Sequence, residues 1–266
     1  MGKPLNVLDL KAMKRGDRKI SMVTCYDFWT AQLLNRSDVD CLLVGDSLAM
    51  VMHGFDSTVH ADIELMALHT RAVARGAADK FIVGDMPFLS VRRGLGPAMD
   101  GVQTLMQAGA NAVKIEGEAG QLDIIAHIVE SGVPVMGHLG LTPQAVHGFG
   151  GHKVQGRGDA AGRALLESAR RLAEAGCFAV VLECVPARLA GCVSASIGVP
   201  TIGIGAGAGT DGQVLVLQDL LGTNPDFRPK FLRHYANGFD TIHDAVNRFH
   251  ADVQEGAFPS REESYA

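Results

Sequence analysis

Ionisable side chains stand at the ends of a series of short apolar runs along this chain of 266 residues. These run-end residues are Asp27, Asp46, Ser47, Asp85, Lys114, Glu116, His138 and Glu183. Carboxylates that converge on one place repel one another unless a cation lies among them. Oxygen ligands suit a hard divalent cation, so the pattern predicts a Mg²⁺ site wherever the fold brings these ends together.

Lys114 precedes Glu116 by two residues, so the two side chains are expected on the same face of a strand. A lysine that points into a protein interior needs an anionic partner, which is either Glu116 itself or the carboxylate of a substrate. A metal, an inward lysine and a further glutamate suit enolisation or aldol-type chemistry on a small 2-oxo acid. In that chemistry the glutamate removes the proton on the carbon next to the carbonyl.

The ten histidines are scattered and form neither HxH nor HExxH, so a zinc site is not indicated. His138 differs from the others because it lies inside an apolar run, either as a hydrogen-bonded core residue or as part of the site. The glycine run Gly203–Gly207 is explained equally well by phosphate binding and by tight packing at a strand end. Four histidines are expected in loops and in contact with solvent, namely His53, His60, His147 and His152.

The elements that would position these residues are eight short runs rich in Val, Ile and Leu that do not alternate with polar residues. This is typical of parallel strands buried on both faces. Strand–helix alternation predicts a (β/α)8 TIM barrel, in which the C-terminal strand ends meet at one mouth. An open, doubly wound sheet is the alternative. The segments with helical spacing between the runs are 30–35, 62–75, 97–107, 122–130 and 160–174.

One crossover departs from this pattern, because only Ala208–Gly212 separate the seventh and eighth runs. Five residues are too few for a crossover helix, so either that helix is missing or the boundaries are wrong. An N-terminal flanking helix is expected over 7–15 with Asn6 as its cap, and a C-terminal helix over 241–255 with Asp240 as its cap. No low-complexity linker interrupts the chain, which predicts a single catalytic domain over 1–266.

Composition narrows the classes of function. The chain carries 24 Lys and Arg against 29 Asp and Glu, and no basic run exceeds two residues, so neither a nucleic-acid nor an anionic-membrane surface is expected. No apolar run approaches the roughly 18 residues of a membrane span, and no signal peptide is expected. Five cysteines without CxxC spacing indicate reduced thiols and a cytoplasmic location.

Ten segments resemble the ketopantoate hydroxymethyltransferase family, in order and over nearly the whole chain. They are VGDSLAMVMHG (44–54), DST (56–58), GDMPF (84–88), AVKIEG (112–117), GHLGLTPQ (137–144), GGHKVQGR (150–157), VLECVP (181–186), IGIGAG (202–207), DGQVLV (211–216) and PKF (229–231). The resemblance implies a (β/α)8 barrel and transfer of a hydroxymethyl group from 5,10-methylenetetrahydrofolate to 3-methyl-2-oxobutanoate. The product is ketopantoate, in pantothenate biosynthesis, by way of a Mg-bound enolate. The resemblance also implies a homo-oligomer, expected to be a decamer.

The resemblance assigns roles to the matching positions. Asp46 and Asp85 correspond to the Mg²⁺ ligands, with Glu116 as a third acidic group that binds directly or through water. Ser47 and Lys114 correspond to the residues that bind the keto-acid carboxylate. The two remaining assignments are His138 as a hydrogen-bonding residue of the substrate site and Glu183 as the base that removes the C3 proton.

Two departures lie after the second strand: Ala49 stands where the family usually has Gly, and Val59-His60-Ala61 stands where it usually has a Leu-Pro-Val-type stretch. Two other readings stay open. One is a Mg²⁺-dependent 2-oxo acid lyase or mutase of the phosphoenolpyruvate mutase/isocitrate lyase type. The other is a non-catalytic barrel that binds a metabolite or serves as a scaffold.

Overall fold

Eight parallel strands close into a barrel in chain order in the computed structural model of the protein, which describes residues 4–16 and 18–265. Strand β1 pairs with β2 on one side and with β8 on the other, which closes the sheet. The (β/α)8 prediction is therefore confirmed, and the open-sheet alternative is wrong. The strands are β1 Ile20–Thr24, β2 Cys41–Val44, β3 Phe81–Asp85, β4 Ala112–Glu116, β5 Val135–Gly140, β6 Ala179–Glu183, β7 Thr201–Ile204 and β8 Gly212–Leu215.

The predicted helices are all present. For the five helices between strands, the observed boundaries differ from the predicted ones by at most two residues. Helix α9 was not expected, because its small residues give little contrast between an apolar and a polar face. The helices are α1 Val7–Arg15, α2 Phe28–Asn35, α3 Leu48–Val51, α4 Ile63–Gly76, α5 Leu95–Gln107, α6 Leu122–Glu130, α7 Val146–Phe149, α8 Asp159–Glu174, α9 Ala187–Ser196, α10 Leu217–Leu220 and α11 Gly238–Glu255. Short 3₁₀ turns occur at Thr58–His60, Pro143–Ala145 and Arg261–Glu263.

The crossover between β7 and β8 contains no helix, as its length indicated. Thr210 closes this connection through its hydroxyl, which donates to Gly212 O at 2.9 Å and accepts from Gln213 at 2.8 Å. The glycine-rich run therefore makes a tight turn between two neighbouring strands.

Helix α1 is the predicted N-terminal flanking helix, and Asn6 caps it in a reciprocal capping box with Asp9. Leu10 of α1 is buried in one cluster with Ile20, Cys41 and Phe81, which are the first residues of three strands. Because those residues lie at the N-terminal ends of the strands, α1 covers the end of the barrel opposite the predicted site.

Strand periodicity explains why polar residues lie inside the other end of the barrel. Side chains two apart on a strand share a face. Phe81 and Val83 belong to the buried core, so Asp85 faces inward behind them. The same parity turns Lys114 and Glu116 inward behind core residue Ala112. The apolar residues near the start of each strand face the barrel interior, so the polar residues two or four positions later on the same strand face it as well.

The chain divides into two compact units, with the boundary between Leu215 and Val216. All seven predicted site residues lie in the first unit, and the single catalytic domain over 1–266 stays a prediction. In the second unit α11 begins at Gly238 rather than Thr241, so Asp240 lies in its first turn and is not its cap. Across residues 4–16 and 18–265, no helix combines the length and apolarity needed to cross a membrane.

Candidate active site

The seven predicted site residues gather at the C-terminal end of the barrel, on four neighbouring strands and the loop after β2. Asp46 and Ser47 follow β2, and Asp85 ends β3. The side chains of Asp85, Lys114, Glu116 and His138 are at most 5% exposed. The remaining member, Glu183, ends β6 and is 19% exposed. The cluster is therefore almost closed to solvent, with its one more open edge at Glu183.

Lys114 lies at the centre of the cluster. Its Nζ lies 3.2 Å from Asp85 Oδ1, 3.8 Å from Glu116 Oε1 and 3.1 Å from His138 Nδ1. Burial opposes the charge on Lys114, but the carboxylates of Asp85, Glu116 and Asp46 outweigh burial and raise the pKa of Lys114 above its usual value. Lys114 is therefore a fixed positive charge inside an acidic ring.

His138 links two carboxylates. Its Nδ1 lies 3.2 Å from Glu116 Oε1, and its Nε2 lies 3.3 Å from Glu183 Oε2. Burial and Lys114 oppose protonation, but Glu116 and Glu183 outweigh them and raise the pKa of His138 to about 9. The Nε2 atom is buried and has no partner with hydrogen-bond geometry among the described residues. It is therefore available to donate a hydrogen bond to a ligand.

Asp46 and Asp85 adjoin, because the backbone N–H of Asp46 donates to Asp85 Oδ2 at 3.0 Å. Gly45 allows this approach, since a Cβ there would lie 2.9 Å from Ser47 Oγ and 3.5 Å from Asp85 Oδ2. Burial and the charges of Glu116 and Asp85 raise the pKa of Asp46 well above its ordinary value. Burial also raises the pKa of Asp85, although Lys114 opposes this. Two buried carboxyls with raised pKa values indicate excess negative charge at this point.

This corner fits a hard cation. Asp85 Oδ1 is buried and, despite its ion pair with Lys114, has no hydrogen-bond partner among the described residues. Over the described ranges, no three His, Cys, Asp or Glu side chains are close enough to hold a metal by themselves. Mg²⁺ commonly uses one or two protein carboxylates and completes its shell with water and substrate oxygens. Asp46 and Asp85 could supply those two ligands.

Glu116 is already engaged elsewhere, since its Oε2 accepts a hydrogen bond of 3.1 Å from the backbone N–H of Gln144. Burial opposes its ionisation, but His138 and Lys114 outweigh burial and lower the pKa of Glu116. With both oxygens engaged by protein groups, Glu116 suits contact with a cation through water better than direct ligation.

Gln144 is a site residue that was not singled out from the sequence. Its side-chain amide donates to Asp46 Oδ2 at 2.8 Å and to Met86 O at 3.0 Å, while its backbone N–H reaches Glu116. Gln144 thus connects the loop after β5 to the loops after β2 and β3 and to the end of β4. Its only sequence signal was its place at the end of GHLGLTPQ, because an uncharged amide after a strand is not distinctive by itself.

Tyr26 is a second unanticipated contact, since its buried hydroxyl lies 2.8 Å from Ser47 Oγ and thereby orients Ser47. By contrast, Asp27 does not join the cluster. It caps α2, and its carboxylate accepts from the backbone N–H of Thr30 at 2.8 Å.

Comparison with known proteins decides the family. The profile of one family, described as ketopantoate hydroxymethyltransferase, matches residues 4–261. This chain belongs to the ketopantoate hydroxymethyltransferase family. Among curated relatives, a protein of Coxiella burnetii (strain Dugway 5J108-111) is 55% identical over 259 residues and covers 97% of each chain. A protein of Bdellovibrio bacteriovorus is 55% identical over 260 residues and covers 98% of this chain and 99% of its own. Both relatives carry the name 3-methyl-2-oxobutanoate hydroxymethyltransferase.

Solved structures with far lower identity share the fold. A 2,3-dimethylmalate lyase of the PEP mutase/isocitrate lyase superfamily has a TM-score of 0.61 at 12% identity, covering 100% of this chain and 93% of its own. Phosphonopyruvate hydrolase in complex with oxalate and Mg++ has a TM-score of 0.60 at 12% identity, covering 97% and 92%. Because identity is so low, these likenesses establish the barrel fold of this family member and nothing about its chemistry.

Proposed function

We propose that this chain transfers a hydroxymethyl group to 3-methyl-2-oxobutanoate, giving ketopantoate, with 5,10-methylenetetrahydrofolate as the donor. Family membership and relatives of that name at 52–55% identity support the reaction. The observation that carries the mechanism is the row from Lys114 through His138 to Glu183, in which Lys114 and His138 are buried and Glu183 is partly exposed. It places a positive charge, a hydrogen-bond donor and a carboxylate side by side at the barrel mouth.

Lys114 and Ser47 would bind the carboxylate of the keto acid. Lys114 offers a permanent positive charge, and Ser47 offers a hydroxyl held in place by Tyr26. Lys114 forms an ion pair with Asp85. Ser47 also lies near Asp85, because both side chains border the space that a Cβ on Gly45 would occupy. A 2-oxo acid bound in this way has its carbonyl oxygen next to the Asp46–Asp85 corner.

Asp46 and Asp85 would hold Mg²⁺, with Glu116 in contact through water. When bound there, the ion supplies Lewis-acid polarisation of a carbonyl oxygen.

Glu183 would remove the C3 proton of the keto acid. It is the most open of the four site carboxylates, with a side chain that is 19% exposed, and its Oε2 lies 3.3 Å from His138 Nε2. A positioned carboxylate within reach of the proton is the first requirement of a general base. The charged ring of His138 lies beside Glu183, and its Nε2–H, which has no hydrogen-bond partner among the described residues, is placed to bind a substrate oxygen.

Proton removal leaves a nucleophilic C3, which attacks the methylene carbon of the donor. Both bonds from that carbon to the folate nitrogens break, water supplies the hydroxyl oxygen of the product, and tetrahydrofolate leaves with one proton taken up on each of the two nitrogens. A 2-oxo acid lyase or mutase would share the early steps on the same fold. It is not favoured, because the family profile spans nearly the whole chain, whereas the lyase and mutase likenesses stand at 12–16% identity.

The test is ketopantoate formation from 3-methyl-2-oxobutanoate with tetrahydrofolate, formaldehyde and Mg²⁺, measured by mass spectrometry. Product should form only when the keto acid, the donor and the metal are all present, and a chelator should abolish it. Full activity in chelator would contradict the metal assignment, and cleavage of the keto acid without the donor would favour the lyase.

We also propose a homo-oligomer, expected to be a decamer, in the cytoplasm. Five exposed apolar side chains at alternating spacings of three and four support self-association, because they form a coiled-coil-like face on α11. They are Phe239, Ile242, Val246, Phe249 and Val253. All five cysteines are free, which is typical of a reducing compartment. Light scattering should give a mass near that of ten chains, and a stable monomer at micromolar concentration would contradict the assembly.

A further inference from the structure

An ordered set of aromatic rings lies on the surface after β2. Phe55 and His60 stack with ring centroids 4.6 Å apart and an interplanar angle of 19°. His53 stacks on Phe55 at 6.5 Å and 29°. Phe55 is 44% exposed, and the side chain of His60 is 45% exposed. Rings this exposed contribute little to the core, so their parallel arrangement calls for a different explanation.

This set of rings is anchored to the barrel. His69 on α4 lies 2.9 Å from His53 through the two Nε2 atoms, and its Nδ1 lies 2.5 Å from Tyr26 O. Because a carbonyl only accepts, His69 Nδ1 is the donor to Tyr26, and in the neutral ring His69 Nε2 accepts from His53. Tyr26 in turn contacts Ser47. The surface rings are therefore held in a fixed position relative to the catalytic cluster.

His60 also lines a cavity of about 680 Å³ between the loops after β2 and β5. This volume lies within the range of about 300–1,000 Å³ that is usual for small-molecule sites. Its two walls bear Asp56 and His60 on one side and His147 and His152 on the other. The cavity adjoins the mouth, since Gln144, which contacts Asp46, lies two residues before the lining residue Val146.

One buried hydroxyl in the segment next to this cavity has no hydrogen-bond partner among the described residues. Thr58, between the lining residues Ser57 and Val59, is 3% exposed, and its hydroxyl has no hydrogen-bond partner among the described residues. Buried hydroxyls are normally paired, so an unpaired one beside a cavity is consistent with a ligand-binding site.

We infer that this cavity binds the heterocyclic ring of the reduced-folate donor, with the ring stacked on the face of His60 opposite Phe55, which supports His60 from behind. The inference rests on the proposed function, since it names where that reaction's second substrate binds. A pterin presents a flat face for stacking and an edge of N–H donors, which the exposed carboxylate of Asp56 matches as an acceptor. His147 and His152 offer ring N–H donors on the opposite wall to the carbonyl and carboxylate oxygens of the donor.

The stacking surface formed by His60 and Phe55 is one of several contacts in the proposed donor site, beside Asp56 and the opposite wall. Its removal should weaken donor binding without abolishing it.

The experiment compares steady-state kinetics of the full-length enzyme for His60→Ala, Phe55→Ala and His60→Phe, the last of which keeps a ring. Loss of one aromatic stacking contact corresponds to roughly a three- to tenfold fall in kcat/KM for methylenetetrahydrofolate. His60→Ala and Phe55→Ala should show this fall through KM, and His60→Phe should recover most of it. His127→Ala, a histidine on α6 away from the cavity, is the matched control and should behave as wild type.

Two readouts separate this inference from the proposed function. Solvent exchange at C3 of the keto acid needs no donor, so it should be unaltered in His60→Ala, while calorimetric affinity for tetrahydrofolate falls. Unchanged donor KM and tetrahydrofolate affinity in both alanine variants would overturn the inference and leave the reaction standing. Absence of exchange and of ketopantoate in the wild type would instead overturn the proposed function.

Discussion

Replacement of Lys114 with methionine removes the positive charge at the centre of the acidic cluster and keeps a long unbranched side chain. Lys114 Nζ lies 3.2 Å from Asp85 Oδ1 and 3.8 Å from Glu116 Oε1. At an effective dielectric constant of about 20, Coulomb attraction at the shorter distance is roughly 5 kcal/mol. Methionine avoids the cost of burying an ammonium group, which offsets part of this loss. Removing one partner of a buried ion pair typically costs about 3–5 kcal/mol, and we expect that range at neutral pH.

The loss should depend on pH in a defined direction. Burial raises the pKa of Asp46 and of Asp85 even with Lys114 present, and without the lysine both should rise further. A carboxyl with a raised folded-state pKa stabilises the fold below its unfolded pKa of about 3.9, and this stabilisation is lost as pH rises through the folded-state value. The variant should therefore be most destabilised near pH 8 and progressively less so towards pH 4.

Thermal unfolding followed by circular dichroism measures this effect. For a domain of about 150–250 residues, 1 kcal/mol corresponds to roughly 2–4 °C, so Lys114→Met should unfold about 10 °C below wild type at pH 8. Lys11→Met, at an exposed position of α1, is the control and should unfold with wild type. A Lys114→Met variant that unfolds with wild type at pH 8, or whose deficit is the same at pH 5 and pH 8, would contradict a stabilising charge at Lys114.

Three further predictions test other parts of the structure. Gln144→Met removes the amide that donates a hydrogen bond to Asp46 Oδ2. The affinity for Mg²⁺, measured by calorimetry, should therefore fall about tenfold. Unchanged affinity would show that Gln144 does not position Asp46. Burial raises the pKa of three thiols, Cys25, Cys41 and Cys177, to about 12. Iodoacetamide at pH 8 should therefore label the exposed Cys192 first, as peptide mass spectrometry would show. Equal labelling of all four cysteines would contradict the buried placement of the three. Lys14 holds α1 to Asp211 at 2.7 Å, so Lys14→Met should lower the free energy of unfolding by about 2 kcal/mol. Burial opposes ionisation of Asp211, but Lys14 and its other donors lower its pKa, so this loss should shrink as pH falls through that lowered value, and a loss independent of pH would argue against the ion pair.

The barrel could be predicted because its signal is repeated. Runs such as 81–85, apolar and ended by a carboxylate, define a buried strand and also the end at which a site forms. Parity along a strand places Lys114 and Glu116 on one face, since residues two apart point the same way. Counting residues between β7 and β8 left two options, a missing crossover helix or misplaced boundaries, and the structure has no helix in that connection.

The remaining site contacts could not be predicted because they depend on long-range geometry. Gln144 contacts a residue 98 positions away, and Tyr26 meets Ser47 across two loops. Asp27 shows the opposite case, since a carboxylate after a strand has the same sequence pattern whether it caps a helix or joins a site. His53 and His60 were expected in loops and in contact with solvent, and nothing in the sequence indicated that His60 would stack on Phe55.

Hydrogen exchange at C3 of 3-methyl-2-oxobutanoate, followed by NMR in deuterated buffer, tests most directly whether Glu183 removes that proton. Wild type with Mg²⁺ and no folate should exchange the C3 hydrogen. Glu183→Gln keeps the side-chain shape but cannot accept the proton, so it should still bind the keto acid while exchange collapses. Exchange at the wild-type rate in Glu183→Gln would remove Glu183 from this role and point to His138 as the base.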